Sequence, residues 1–193
     1  MKKPMHKLLL LVALLSCTSL AFALPTTYTI NFEQYSEYTQ ITNQYAADYI
    51  TFQNALQLVA PYYDYTDYPP EDGSGVITND PNDPIYADFS GLVWGVTGWY
   101  VDADGITVTA YDSNGDVLNT FAGAPVIGSD LQFSVTSAAT PIAYITISDD
   151  YGIPDAETVD DINYTVTPEP ETIVLLGTGL LGLAGALRRK FAR

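Results

Sequence analysis

The sequence predicts an all-β fold, a two-sheet antiparallel sandwich of jelly-roll type, preceded by a signal peptide and followed by a single C-terminal transmembrane helix. Three observations predict it. Short segments alternate apolar and polar residues with period two; clusters of Gly, Asn, Asp and Pro separate them; and all seven Lys and Arg lie at the two chain ends. Alternation with one apolar face is what a half-buried antiparallel strand requires.

Residues 1–23 read as the signal peptide. Lys2, Lys3 and Lys7 form a basic lead, Leu8 to Leu15 an apolar stretch, and Ala21-Phe22-Ala23 a small-x-small cleavage site for signal peptidase. Leu14-Leu15-Ser16-Cys17 offers a competing, rougher site for lipid attachment at Cys17. Cleavage after Ala23 removes that cysteine, and no disulfide remains open to the mature chain.

Residues 24–167 form the predicted sandwich. Tyr28, Ile30 and Phe32 share a face, as do Ile50 and Phe52. Ile106, Val108 and Ala110 alternate with Thr107, Thr109 and Tyr111, and Leu131, Phe133 and Val135 with Gln132, Ser134 and Thr136. Ala143, Ile145 and Ile147, then Ile162, Tyr164 and Val166, repeat the pattern. The run from Leu92 to Val101 reads as a central strand pair or a bent strand, interrupted at Gly95 and Gly98. A short helical turn is expected at Gln40 to Ala47. Asp112-Ser113-Asn114-Gly115-Asp116 has some calcium-loop spacing, but its Asn-Gly pair signals a hairpin.

Charge restricts the chemistry of this domain. It holds every Asp and Glu except Glu169 and Glu171, and no Lys, Arg, His, Cys or Met. Nucleic acid is excluded as a partner, because nothing here can neutralise phosphates. Catalysis by Ser-His-Asp or Cys-His, lysine Schiff bases and histidine-held zinc all lack their essential residue. A paired-carboxylate glycoside hydrolase is the hydrolytic scheme still open, and a purely structural single-pass surface protein is another reading.

Residues 168–193 combine Pro168-Glu169-Pro170, an apolar run from Thr172 to Leu187, and the basic stop Arg188-Arg189-Lys190. As a helix at 1.5 Å per residue that run spans roughly 24 Å, slightly less than a bilayer core of about 30 Å. Flanking positive charge stays in the cytoplasm, which puts the acidic middle across the membrane. The tail resembles the PEP-CTERM sorting signal of Gram-negative bacteria part by part. The resemblance implies recognition by an exosortase-type membrane enzyme, cleavage near the Pro-Glu-Pro motif, and association with exopolysaccharide and biofilm matrix.

Two residue sets inside the sandwich are candidate sites. Glu33 follows the first predicted strand, and Asp160 and Asp161 open the last. Many jelly-roll carbohydrate-binding modules are similar, and the resemblance implies a structural Ca²⁺ joining first and last strands through such carboxylates. Solvated strand-end acids are the other reading, and Asp149-Asp150 with Asp155 and Glu157 form a further acidic group. Tyr62, Tyr63, Tyr65 and Tyr68 crowd one loop, Ala60 to Ser74. Tyrosines beside carboxylates can stack on sugar rings, or they can fold the loop back onto the sandwich. The expected role is that of an exported, non-catalytic cell-surface or matrix protein.

Overall fold

The structure is a computed structural model that describes residues 24–79, 83–149 and 157–167, with Gly179 and Gly182. Ala21, Ala23 and Cys17, the Pro168-Glu169-Pro170 motif and Arg188-Arg189-Lys190 lie outside the described residues, as does Thr172–Leu187 apart from those two glycines. Among the described residues no helix is long and apolar enough to cross a membrane. Pro25–Pro168 forms one compact unit.

This unit is all-β. In chain order it comprises β1 (Thr26–Ile30), β2 (Gln40–Ile41), a 3-10 turn (Ala46–Asp48), β3 (Ile50–Gln53), β4 (Ala55–Val59) and β5 (Gly75–Asn79). Then come β6 (Ile85–Asp102), β7 (Ile106–Tyr111), β8 (Val117–Ala122), β9 (Val126–Thr136), β10 (Ile142–Asp149) and β11 (Thr158–Thr167). All described pairings are antiparallel.

The 18-residue β6 organises the rest. Its first part, Ile85 to Phe89, pairs with β3 and β10, and β10 continues to β7 and β8. Its second part, Leu92 to Asp102, pairs with β9 and β11, and β11 leads to β1 and, through β5, to β4 and β2. The two strand groups are therefore one hydrogen-bonded network joined through β6, where two separate sheets were expected. Rings meet between the groups: Phe89 with Tyr164 at 5.1 Å, Tyr100 with Phe121 at 6.2 Å and Phe121 with Phe133 at 6.5 Å. Val108, Ala110, Phe133, Val135, Ile145, Ile147 and Ile162 are fully buried in the single core between them. Each large side chain so buried contributes about 1.5–3 kcal/mol.

Gly98 does not break β6. A Cβ there would lie 2.6 Å from the Phe133 ring, so the glycine lets that ring seat against the strand. The alternation fails at Ala143, which is half-buried while Ile142 is fully buried, because a register shift separates Ile142 from Tyr144. Leu131, midway along β9, is likewise 40% exposed. The expected helical turn is shifted and shorter: Gln40 and Ile41 pair with β4, leaving three residues of 3-10 turn.

The Asp112–Asp116 segment is the β7–β8 hairpin turn. The Asp112 carboxylate accepts the Asn114 and Asp116 amides at 2.8 and 2.9 Å and the Asn114 side-chain amide at 3.3 Å. These donors hold its carboxyl below the usual range. Gly115 sits at φ 84° with ordinary space around it, so a Cβ costs backbone strain and little else. In urea unfolding, Gly115→Ala is expected to lose about 1 kcal/mol, and Phe133→Ala about 3–5 kcal/mol through the cavity it opens.

Candidate functional site

β1 ends at Ile30, and Phe32 adopts a left-handed φ of 53° that goes with a fully buried ring and an exposed Glu33. The Glu33 carboxylate accepts the Ser74 amide at 2.8 Å, the Gly75 amide at 2.7 Å and the Ser74 hydroxyl at 3.1 Å. Asp160 lies on β11 opposite Trp99 and is only 3% exposed. Its two oxygens accept the Glu71 amide at 3.1 Å and the Asp161 amide at 2.7 Å. The same two carboxylates predicted to bind a metal thus anchor the far end of the tyrosine loop.

Asp161 stands where the β11–β6 register shifts, at a left-handed φ of 46°. A bulge of this kind re-aims a side chain. One carboxylate oxygen, Oδ1, is buried without a hydrogen-bond partner. Burial, Asp72 and Glu33 together push its carboxyl up. Burial also pushes Asp160 up to about 8, against partial relief from backbone amides and with further push from Asp161 and Asp72. The predicted trio is therefore gathered into one electrostatic neighbourhood, joined by Asp72, which the sequence did not single out. Glu71 and Asp130 approach closely enough for their carboxyls to hydrogen-bond, which raises Glu71 to about 6. No group of three or more His, Cys, Asp or Glu among the described residues is arranged to hold a metal ion as it stands.

The tyrosine loop divides in two. Tyr62 is 74% exposed and Tyr65 46%, whereas Tyr63 and Tyr68 are half-buried. The Tyr63 hydroxyl is buried, and its ionisation is pushed up by burial and by Asp160, Glu37 and Glu33. Tyr63 therefore packs inward over the carboxylates while Tyr62 and Tyr65 face solvent. The loop is closed by Ala60 N–H to Ser74 O at 2.8 Å and tied to β9 by Gly128 N–H to Asp67 O at 2.6 Å.

A separate cleft of about 240 Å³ is lined by Gln40, Thr42, Phe52, Gln53 and Asn54 among others, with no carboxylate in its wall. Asn54 and Asp161 illustrate what sequence reading missed here, since both hold left-handed backbone without being glycine. Asp72, Glu71 and Asp130 were missed because their approach to β11 depends on loop tertiary structure. The signal available was the placement of Glu71 and Asp72 directly after Pro69-Pro70, inside the loop already marked by its tyrosines.

A protein-family profile for the PEP-CTERM protein-sorting motif matches residues 166–190. The chain carries a PEP-CTERM sorting motif. It begins within the last two residues of β11 and so follows the sandwich without a spacer. No curated protein sequence matches the chain. Among solved structures, the K2 cleaved adhesin domain of Lys-gingipain is similar at a TM-score of 0.51 and 14% identity, covering 73% of this chain and 100% of that one. The K1 adhesin domain of the same protein from Porphyromonas gingivalis gives 0.45 and 14%, covering 72% and 97%. A xylan-binding module from Roseburia intestinalis gives 0.40 and 14%, covering 75% and 95%. At this identity the likeness to the K2 domain is one of fold.

A carboxyl whose folded pKa is raised stabilises the fold fully below its unfolded value and ceases to do so as pH rises through the folded value. For Asp160 the window runs from 3.8 to about 8. In chelator, the melting temperature is expected to fall across that window, and Asp160→Asn to flatten the fall. Thermal unfolding followed by circular dichroism at several pH values checks it.

Proposed function

We propose that this chain is an exported, non-catalytic protein of the cell surface or extracellular matrix, delivered by its PEP-CTERM tail. The observation that carries the reading is the sorting motif at residues 166–190, set directly behind the last strand of a β-sandwich. Signal peptidase acts after Ala23, and an exosortase-type enzyme acts near Pro168-Glu169-Pro170. Thr172–Leu187 holds the chain in the membrane for that step, with Arg188-Arg189-Lys190 on the cytoplasmic side. The sandwich belongs to the jelly-roll class.

Polysaccharide is the ligand class that best suits the sandwich. Tyr62 and Tyr65 present exposed rings on a loop whose far end is fixed by Glu33 and Asp160 and whose two ends are joined by the Ala60–Ser74 backbone bond. A fixed aromatic surface loses little entropy when a sugar ring stacks on it. The surrounding carboxylates accept hydroxyl hydrogen bonds, and an exopolysaccharide or biofilm matrix supplies such ligands. A structural Ca²⁺ at Glu33, Asp160 and Asp161 fits the unpartnered Asp161 Oδ1, with the remaining lone pairs of the other two carboxylates as further ligands.

The non-catalytic reading is supported by composition: residues 24–167 hold no His, Cys, Lys or Arg, so the common nucleophilic and metal-assisted schemes lack their essential residue.

Two experiments test the proposal. Deleting residues 168–193 is expected to release the protein into the medium, whereas the full chain fractionates with the envelope; unchanged envelope retention contradicts the sorting role. Affinity electrophoresis through the host's own exopolysaccharide is expected to retard the full chain, and the Tyr62→Ala/Tyr65→Ala double variant to bind about tenfold more weakly, or ~1.4 kcal/mol. Equal retardation of the two proteins contradicts the loop as the contact surface.

A further inference from the structure

A second acidic group lies just beyond the Thr158 end of the β11–β6 ladder, the end that also carries Asp160. Thr158 pairs with Val101 and Val159 with Tyr100, so one step further the antiparallel register sets Glu157 against Asp102. Both side chains are fully buried, at 0% exposure. Like charges directly opposite on neighbouring strands destabilise a sheet, and burial strengthens the repulsion.

Three of their four carboxylate oxygens have no hydrogen-bond partner: Glu157 Oε1, Glu157 Oε2 and Asp102 Oδ2. The fourth, Asp102 Oδ1, accepts the Asp104 and Gly105 amides, each at 2.7 Å. Those two bonds fix the carboxylate's orientation and leave Oδ2 for something else. Asp149, the last residue of β10, adds its charge to both: its field raises Asp102 and Glu157 alike. Burial is the larger cause in each case and takes Glu157 to about 8. Asp104 adds further negative charge near Asp102.

Buried polar atoms in folded proteins are satisfied by protein, water or an ion. No basic side chain exists between Leu8 and Leu187 to serve here. A hard divalent cation takes six to eight oxygen ligands and prefers carboxylates, carbonyls and water. We infer that Asp102 and Glu157, with Asp149, form a buried site for a divalent cation of the calcium type. Asp102 Oδ2 and the two Glu157 oxygens are its first ligands. The ion draws the three carboxylates closer than they stand without it, with backbone carbonyls and water completing the shell. It would cross-link the ends of β6 and β10 to the start of β11, independently of the cation proposed at Asp161.

The test uses the full chain in detergent, stripped with chelator and returned to millimolar CaCl₂. Bound calcium is measured by inductively coupled plasma mass spectrometry and stability by thermal unfolding. The expected result is a calcium-dependent rise in melting temperature, with one equivalent of bound calcium lost in Asp102→Asn and in Glu157→Gln. In chelator at a pH above 8, where Glu157 is ionised, Glu157→Gln is expected to melt above the unsubstituted protein, because a neutral amide removes the like-charge pair. Asp161→Asn, on the other site, keeps the equivalent bound here, so failure of one site is distinguished from failure of the other. Undiminished calcium in both Asp102→Asn and Glu157→Gln overturns the inference. Should those variants not fold, a melting temperature of the unsubstituted protein that calcium leaves unchanged overturns it as well.

Discussion

Charge segregation is the constraint on which the rest of this protein depends. Between Leu8 and Leu187 there is no Lys or Arg, while every Asp and Glu of the chain lies there. A translocated domain flanked by basic, cytoplasm-facing ends fits that arrangement. The same arrangement denies every buried carboxylate an ion-pair partner. Backbone amides, protons and bound cations are then the means of satisfying them, and the fold uses the first of these extensively. Glu33, Asp102, Asp112 and Asp160 each accept main-chain N–H groups.

That requirement ties structure to function at the tyrosine loop. Glu33 comes just after β1 and Asp160 from β11, strands that are themselves paired. Their carboxylates reach Ser74, Gly75 and Glu71, so the loop is pinned to the paired first and last strands. Tyr63 closes over the anchor while Tyr62 and Tyr65 are left outside. The acidic and aromatic residues thus belong to a single construction. Beneath it, β6 runs through both strand groups, and the Phe89–Tyr164 and Phe121–Phe133 contacts lock the two together.

Much of this was legible in the sequence where one physical rule dominates. Ile106, Val108 and Ala110, or Ile162, Tyr164 and Val166, alternate because one face of their strands meets the core, and all six are buried. Glu33, Asp160 and Asp161 were grouped through the resemblance to jelly-roll carbohydrate-binding modules rather than by a local rule, and β1 does pair with β11. Legibility failed where tertiary contacts override local pattern. Strand β5 is buried along its whole length, Thr78 and Asn79 included, so it shows no alternation. Strand β8 exposes Val117 and buries none of its residues fully, and β4 carries a fully buried Gln57. The approach of Glu71, Asp72 and Asp130 to β11, and of Glu157 to Asp102, rests on loop closure and strand register, which no local window contains.

The central claim is that a sandwich built around unpaired acids is exported and then handed over by its tail. Intact-mass measurement of the protein recovered from its host's envelope or matrix tests this most directly. The account gives a chain that starts at Leu24 and ends close to Pro168-Glu169-Pro170. A recovered protein still carrying both residues 1–23 and the basic end at Arg188-Arg189-Lys190 would contradict it.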